Sequence, residues 1–325
     1  MIRRTPAAAP KPSRMRLLFP AAVATAVAFF LAGCEPACQG ERCAPPAASA
    51  AQPDTLRKIQ DSHTITLGYR ESSVPFSYYD SQKHVIGYSY DLAMAIVEEI
   101  KAELKLPDLQ VKLQPVSPEN RMNMVRDGRI DLECGTTGNT LERQKLVAYS
   151  NSIFIVRMQI LTRKDYDIKD FPDLAGKAVV TTAGTTNVDR IHKMNQEHNM
   201  GMRVVVAKDH REAFVELETG RVDAFLMDDA LLWGERARAI RWGDWIITGT
   251  PQIREAYGCI MRKDDTRFKE TVNRALAKAM APEAFDALYK KWFRSPIPPK
   301  GINLDFPLSE DMQALIKNPN DQAFE

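Results

Sequence analysis

The sequence predicts an α/β protein made of two similar lobes. Strand-like and helix-like segments alternate from about residue 55 to the end of the chain, and this alternation is typical of α/β units with mainly parallel sheets. A helix-then-strand unit also occurs twice. At 325 residues the chain is long enough for two modest cores. We therefore expect a cleft between two lobes.

The first predicted strand is TITL, residues 64–67, and the stretch GYRESSVPFSYYD follows it. This stretch is too polar for a core and too aromatic for an ordinary loop. It contains Arg70, two neighbouring serines and several aromatic residues. Phe76, Tyr78 and Tyr79 either pack in the core or close the wall of a binding pocket, and the sequence leaves both interpretations open.

Two helices and a strand are predicted next. The helix SYDLAMAIVEEIKAEL has an apolar stripe, and Ser89 is a candidate N-cap. LQVKLQPV is strand-like. The second helix is predicted over SPENRMNMVRDG, with Ser117 as N-cap, Pro118 at the first helical position and Gly128 at the end.

The repeated unit spans residues 117–135 and 209–228. Gly128-Arg-Ile-Asp131 in the first copy matches Gly220-Arg-Val-Asp223 in the second. Each copy is preceded by a strand-like segment. The repeat favours two similar lobes, although this four-residue pattern is also a common connection between a helix and a strand.

Composition excludes several classes of function. The net charge is +2 and no long basic run occurs inside the body of the chain, so we expect no nucleic-acid partner. The five histidines are scattered, and HExxH and CxxC patterns are absent. We therefore expect neither a metal site nor a cofactor.

The N-terminal segment predicts an exported protein. A basic stretch without acids precedes the apolar run LLFPAAVATAVAFF, and LAGC follows it. LAGC resembles a bacterial lipobox, which implies a signal peptide over residues 1–33 and a lipid on Cys34. The Ala/Pro/Ser-rich residues 34–55 read as a flexible tether. The alternative is an anchor helix that is not cleaved.

Four cysteines remain once Cys34 carries lipid, an even number suited to an oxidising compartment. Cys38 can pair with Cys43 and Cys134 with Cys259. Four cysteines allow three pairings, however, and Cys134 and Cys259 could equally be buried free thiols.

Polar residues follow several predicted strands, where α/β sheets place their ligands. They include hydroxyls, arginines, a histidine and acids: an arginine can bind both oxygens of a carboxylate, and Gly-Thr-Thr before a helix suits an anion. The stretches concerned are Arg70 with Ser72 and Ser73, the loop from Thr136 through Gly138 to Arg143, Gly184 with Thr185 and Thr186, Asp209 with His210, and Asp228 with Asp229.

Motifs in a consistent order along the chain resemble the periplasmic amino-acid-binding proteins of ABC importers (solute-binding family 3), and most closely the glutamate/aspartate-binding subfamily. They are RESSVPFSYYD, ECG followed by LERQK, GTT, AKDH, MDDALL, EAYGC and PIPPKGINLDF. The resemblance implies the two-lobed type II periplasmic-binding-protein fold, with a ligand cleft between lobes joined by two crossover strands. The implied lobes are residues 56–160 plus 255–325 and residues 161–254.

The resemblance also implies roles for the head group of the ligand. Arg143 would bind the α-carboxylate with a backbone N–H near Gly138, a position where the family usually has Ser or Thr. Thr136 would accept from the α-ammonium, and Asp228 would pair with it. Thr185 and Thr186 would bind ligand oxygens at a helix N-terminus.

The side-chain carboxylate would be bound by Arg70, Arg121 and His210. The family's serine one turn before Arg121 aligns with a proline here, and Ser117 stands one place earlier. Arg143 and Asp228 balance the head group of an amino acid, so an acidic side chain would offset the remaining arginines in a closed cleft.

These residues predict a monomeric periplasmic binding protein, anchored by lipid, that delivers L-glutamate and L-aspartate to an inner-membrane ABC permease. Three alternatives stay open: a binding protein for another polar amino acid such as glutamine, a sensory module, and an enzyme similar to the cyclohexadienyl dehydratases. The enzyme would need an acid/base group, for which His210 and Glu71 are the candidates.

Overall fold

The computed structural model describes residues 54–324, which belong to one compact unit. The predicted signal peptide over 1–33, nearly all of the tether over 34–55, the lipid on Cys34 and the Cys38–Cys43 pair lie outside this range. Within residues 54–324 no helix has both the length and the apolar character needed to cross a membrane.

The described residues alternate between strands and helices, so the predicted α/β class is confirmed. The strands are β1 (Thr64–Tyr69), β2 (Ser72–Ser73), β3 (Ser77–Tyr79), β4 (Val85–Ile86), β5 (Gln110–Pro115), β6 (Leu132–Glu133), β7 (Val147–Arg163), β8 (Ala178–Thr182), β9 (Arg203–Ala207), β10 (Ala224–Asp228), β11 (Trp245–Arg262), β12 (Pro296–Ile297) and β13 (Ile302–Asn303).

The helices pack on the main sheet, and several begin at a side-chain cap such as Asp209 or Ser309, whose oxygen accepts a backbone N–H three residues later. They are α1 (Thr55–Ser62), α2 (Tyr88–Leu104), α3 (Arg121–Arg126), α4 (Leu141–Gln144), α5 (Thr186–Glu197), α6 (His210–Glu218), α7 (Asp229–Arg238), α8 (Thr266–Ala279), α9 (Pro282–Phe293) and α10 (Glu310–Lys317).

The main sheet has eight strands in the order β5-β1-β6-β11-β7-β10-β8-β9. The two long strands β7 and β11 lie side by side at its centre and run antiparallel. On one side β11 pairs with β6, and β1 lies parallel to β5 and β6. On the other side β7 pairs with β10, and β8 lies parallel to β9 and β10. The lobe boundaries implied by the resemblance stay a prediction.

The two copies of the repeat have the same local structure. Gly128 and Gly220 end their helices with positive φ angles of 69° and 73°, the left-handed conformation that glycine adopts at low cost. The aspartates three residues later also match. Asp131 accepts the N–H of Thr66 in β1 at 2.9 Å, and Asp223 accepts that of Ala178 in β8 at 2.8 Å. Each aspartate thus joins its repeat to a neighbouring parallel strand.

Helix α3 begins later than the sequence predicts. The side chain of Asn120 accepts the N–H of Ser117 at 2.9 Å, and the Ser117 hydroxyl accepts the N–H of Asn120 at 3.2 Å. These reciprocal bonds have the arrangement of a capping box, with Ser117 in the predicted capping role, and the Ser117 carbonyl accepts the N–H of Arg121 at 3.2 Å. Residues 118–120 form a turn, so the first residue of the regular helix is Arg121 rather than Pro118.

The prediction of Ser89 as N-cap of α2 was wrong. The helix begins at Tyr88, and Gly87 stands at the cap position. The Ser89 hydroxyl donates instead to the carbonyl oxygen of Gly135 at 2.9 Å. This hydrogen bond ties the helix to the loop after β6, which contains several of the candidate site residues.

Phe76, from the aromatic stretch after β1, is a core residue. Its side chain is fully buried, and its ring lies 5.0 Å from that of Phe154 and 5.4 Å from that of Tyr257, both edge to face. Tyr78 packs against Trp292 and donates to the carbonyl of Pro298 at 2.9 Å. Phe76 and Tyr78 therefore pack in the core, which was one of the two roles that the sequence left open.

A disulfide joins Cys134 to Cys259, with their Cα atoms 4.2 Å apart. It connects the end of β6 to β11, where these strands share few paired residues. The free-thiol alternative therefore does not describe the structure. The bond closes a loop of 125 residues and anchors the loop that begins at Gly135.

Candidate functional site

The candidate residues lie at the carboxyl ends of strands in both halves of the sheet. Arg70 follows β1, Ser117 follows β5, and the loop of Thr136 and Gly138 follows β6; on the other side Thr185 and Thr186 follow β8, His210 follows β9, and Asp228 ends β10. This is where parallel sheets place ligands.

Arg70 is buried with its guanidinium incompletely bonded. Its backbone is held by Ser77, whose hydroxyl accepts the Arg70 N–H at 2.9 Å and donates to the Arg70 carbonyl at 3.1 Å. The side chain is 2% exposed, and Nη1 has no hydrogen-bond partner within residues 54–324. Burial, and then the charge of Arg121, lower the pKa of Arg70 to about 9.

Arg121 is the second buried arginine. It is the first residue of α3 and 1% exposed, and its Nε and Nη1 have no partner in the described part of the chain. Burial lowers its pKa, and the charge of Glu133 opposes this shift. Two neighbouring guanidiniums with unbonded N–H groups form a site that an anion would stabilise.

His210 faces the two arginines as a neutral imidazole. Its Nδ1 lies 2.9 Å from the hydroxyl oxygen of Thr182, while Nε2 has no partner among the described residues. Burial and the charges of Arg70 and Arg121 lower the pKa of His210 well below its ordinary value. Asp209 is also the N-cap of α6, so His210 is a helix-start residue, and its role in ligand binding stays a prediction.

Asp228 is a buried carboxylate on the opposite side of the site. It accepts from the side-chain amide of Asn187 at 2.9 Å and from the hydroxyl of Tyr257. Burial, and then the charge of Glu255, raise the pKa of Asp228 to about 6. A cationic group would offset this cost, which suits the predicted partnership with an ammonium. Asn187 and Tyr257 were missed by the sequence analysis.

Arg143 bridges the two sides of the site. It donates from Nη1 to the carbonyl of Gly138 at 3.1 Å and from Nη2 to the carbonyl of Gly184, after β8, at 3.0 Å. Thr140 caps its short helix by accepting the Arg143 N–H at 3.3 Å. Thr136 lies nearby and is 5% exposed.

Gly138 is held against β11 by its neighbours. The Asn139 N–H donates to Ala256 and the Gly258 N–H donates to Thr137. Gly138 lies between the two bonded residues Thr137 and Asn139. In such an antiparallel pair its own N–H and C=O point away from the partner strand. The Gly138 N–H is therefore directed away from β11, as its predicted role requires.

Glu255, in β11, contacts several residues of the candidate site, and the sequence analysis did not select it. It is 2% exposed and lies against Gly138, where a Cβ would be 1.4 Å from its Oε1. Its Oε2 accepts the Thr186 hydroxyl at 2.6 Å and forms an ion pair with Arg190 of α5. The signal in the sequence was Gly138 itself: where the resemblance implies Ser or Thr, a glycine leaves space for another side chain.

The hydroxyls of Thr185 and Thr186 are bonded within the protein. Thr185 donates to the carbonyl of Thr182 at 2.7 Å, and Thr186 donates to Glu255. Both residues begin α5. Their backbone N–H groups and the helix dipole remain the features of this position that favour an anion.

Ser117 lies at the mouth of the site. With Arg70, Asp209 and Arg238 it lines an open cavity of about 550 Å³. Its hydroxyl oxygen is used in the turn before α3.

Glu133 is a further buried carboxylate near the candidate residues, and it too was missed. It ends β6 and is fully buried; its Oε2 accepts the Thr137 hydroxyl at 2.7 Å, and Oε1 has no partner in the range that the structure describes. In the sequence, a glutamate within a short strand looks the same whether its side chain is buried or exposed, so no local pattern indicated Glu133.

Groups for catalysis are sparse in this arrangement. His210 is buried and bonded through Nδ1, and Glu71, the other candidate acid/base group, is exposed. Residues 54–324 contain no cluster of three His, Cys, Asp or Glu side chains that could hold a metal ion. The arrangement is suited to holding a zwitterion with a further negative charge.

Comparison with known proteins gives consistent matches. The family model for bacterial extracellular solute-binding proteins, family 3, matches residues 65–295. A glutamate/aspartate import solute-binding protein of Salmonella typhimurium is 53% identical over 83% of this chain and 89% of the relative. An L-glutamate/L-aspartate-binding protein of Pseudomonas aeruginosa is 49% identical over 83% of this chain and 90% of the relative.

A solved structure shows the same fold. It is an ABC uptake transporter substrate-binding protein from Streptococcus pneumoniae with bound histidine. It superposes with a TM-score of 0.66 at 25% identity and covers 75% of this chain and 98% of its own.

Proposed function

The chain belongs to the bacterial extracellular solute-binding proteins of family 3, and on this premise we propose that it captures L-glutamate and L-aspartate for import by an ABC transporter. It has the two-lobed type II fold of that class. Of two relatives that are about half identical in sequence, one is named for glutamate/aspartate import and the other for binding L-glutamate and L-aspartate. The chain is accordingly a binding protein for transport rather than an enzyme, and its partner is an ABC permease.

The preference for an acidic side chain rests on one observation. Arg70 and Arg121 are both buried with N–H groups that find no partner among residues 54–324. A carboxylate between them would accept these hydrogen bonds and offset the repulsion between the two charges. A neutral side chain such as that of glutamine would accept some of the bonds and leave the charge.

The head group of the amino acid has its own set of residues. Arg143 and the Gly138 N–H would bind the α-carboxylate, with the first turn of α5 at Thr185 and Thr186 beside it. Asp228 would pair with the α-ammonium, and Thr136 would accept from it. His210 would donate from Nε2 to the side-chain carboxylate, and Ser117 would lie near the mouth.

Isothermal titration calorimetry with L-glutamate, L-aspartate and L-glutamine tests this proposal, and thermal unfolding with prephenate tests the dehydratase alternative. Glutamate or aspartate should bind and raise the melting temperature. A melting temperature unchanged by both acids would contradict the proposal, and stabilisation by prephenate alone would favour the alternative.

We also propose that the chain works in the periplasm as a monomer, tethered by lipid on Cys34. The support is the basic and apolar N-terminal sequence that ends in LAGC. The protein should fractionate with membranes, and Cys34→Ser should block lipid attachment. Mass spectrometry of the purified protein would show the lipid directly; an unmodified Cys34 would contradict this part of the proposal.

A further inference from the structure

Glu133 lies beside the two arginines of the proposed side-chain pocket. The side chains of Glu133 and Arg70 both contact the space beside Gly135. A Cβ on Gly135 would lie 2.1 Å from Oε1 of Glu133 and 3.4 Å from Cγ of Arg70. Strand β6 pairs directly with β1, with Glu133 in register with Gly68. The carboxylate is thus placed by two strands and by the Thr137 hydroxyl, which donates to Oε2 at 2.7 Å.

The charges buried in this pocket do not cancel. Arg70 and Arg121 contribute two positive charges, Glu133 contributes one negative charge, and all three side chains are at most 2% exposed. His210 is neutral because burial and the two arginines lower its pKa. The three fully buried side chains therefore leave an excess of one positive charge, which one further carboxylate would balance. The partly buried Asp209, Arg143 and Arg238 also act on these groups.

We propose that Glu133 is a specificity-determining residue, which sets the charge of the pocket so that it matches a ligand side chain with a single negative charge. This inference rests on the proposed function of the same site. Without Glu133 two positive charges would face the ligand, and a single carboxylate would leave one of them buried and unmatched. Glu133 also stabilises the ligand-free site, because its charge opposes the repulsion between the arginines.

The supporting electrostatics agree with the geometry. The charge of Glu133 raises the pKa values of both Arg70 and Arg121, against the stronger effect of burial. Oε1 accepts no hydrogen bond from any described residue. Glu133 therefore acts on the arginines through its charge, and a substitution that keeps its shape isolates that charge.

The test compares the ratio of glutamate to glutamine affinity in a set of variants by calorimetry. Arg121→Gln brings the pocket to neutrality and should reduce the preference for glutamate by about 10- to 100-fold. Arg121→Gln with Glu133→Gln restores one positive charge and should recover most of that preference. Glu133→Gln alone leaves two buried positive charges, so it should raise the affinity for O-phospho-L-serine, whose side chain carries nearly two negative charges, relative to that for glutamate. Glu98→Gln, which neutralises an exposed carboxylate in α2 outside the pocket, is the matched control and should leave the ratio of glutamate to glutamine affinity unchanged.

Thermal unfolding of the ligand-free variants gives a second readout. Glu133→Gln should lower the melting temperature more when Arg121 is present than in the Arg121→Gln background. A double variant that keeps the ligand preference of Arg121→Gln, or equal destabilisation in both backgrounds, would overturn the inference. Wild-type protein that binds neither acid would refute the proposed function instead, and the stability comparison would still test the role of Glu133.

Discussion

Oε1 of Glu255 lies 1.4 Å from the position that a Cβ on residue 138 would occupy, so the Glu255 carboxylate fills the space of a side chain that Gly138 lacks. From this place it reaches Thr186 and Arg190 of α5. A contact between β11 and the first turns of α5 therefore depends on a glycine in the loop after β6.

Gly138→Ala should lower the free energy of unfolding by about 1–3 kcal/mol, because the new methyl group overlaps the Glu255 carboxylate. Combined with Glu255→Ala, which removes the overlapping atoms, the same substitution should cost less. Urea unfolding of the four proteins measures both effects. Gly243→Ala, where a Cβ would meet no atom within 4 Å, is the control. Equal costs in both backgrounds would contradict the overlap.

Arg121→Met should raise the stability of the ligand-free protein while removing the binding of glutamate. The arginine is buried with unbonded N–H groups, and an apolar side chain of similar length avoids the cost of burying that charge. We expect a gain of about 1–3 kcal/mol in the free energy of unfolding and a loss of roughly 100-fold or more in affinity.

Arg70→Met should likewise raise the free energy of unfolding of the ligand-free protein and lower the affinity for glutamate. The exposed Arg126→Met is the control and should alter neither quantity by much. Chemical unfolding and calorimetry on the same preparations decide the matter. A loss of stability in both buried variants would show that the arginines are compensated within the protein.

Asp228 should make stability depend on pH. Its pKa of about 6 in the folded protein is above its ordinary value of 3.8, so between about pH 4 and 6 the folded state binds more protons than the unfolded state. The contribution of Asp228 to stability is therefore present at acid pH and is lost as the pH rises through about 6. The free energy of unfolding of the wild type, relative to that of Asp228→Asn, should therefore fall as the pH rises from 4 to about 6 and then stay constant up to pH 8.

Binding of glutamate should have the opposite dependence on Asp228. The α-ammonium requires the ionised carboxylate, so the affinity should fall as the pH falls through about 6. Asp228→Asn should bind weakly and lose this dependence. An affinity that is constant from pH 5 to 8 in the wild type would rule out Asp228 as the partner of the ammonium.

The disulfide between Cys134 and Cys259 should contribute strongly to stability. It closes a loop of 125 residues, for which the loss of chain entropy in the unfolded state predicts about 4–5 kcal/mol. Urea unfolding of the double variant Cys134→Ser/Cys259→Ser should show this loss. Addition of a reductant should bring wild type to the stability of the double variant and leave the variant unchanged.

The alternation of strands and helices and the repeated unit could be predicted from the sequence, because they depend on local patterns of apolar residues, glycines and caps. The matching roles of Asp131 and Asp223 confirm the repeat. The capping bonds of Ser117 agree with the prediction, but the first residue of α3 was wrong because residues 118–120 form a turn. The predicted cap of α2 was wrong because Ser89 donates to a distant carbonyl.

The sequence by itself determined the α/β class, the family, and which arginines, threonines and acids follow the strands. Only the tertiary structure decided that Arg70 and Arg121 are buried with unbonded N–H groups, that Glu133 shares their pocket, and that Glu255 fills the space beside Gly138. The reason is physical: local patterns specify elements and their ends, whereas burial and the sum of charges in a pocket depend on residues that are far apart in the chain.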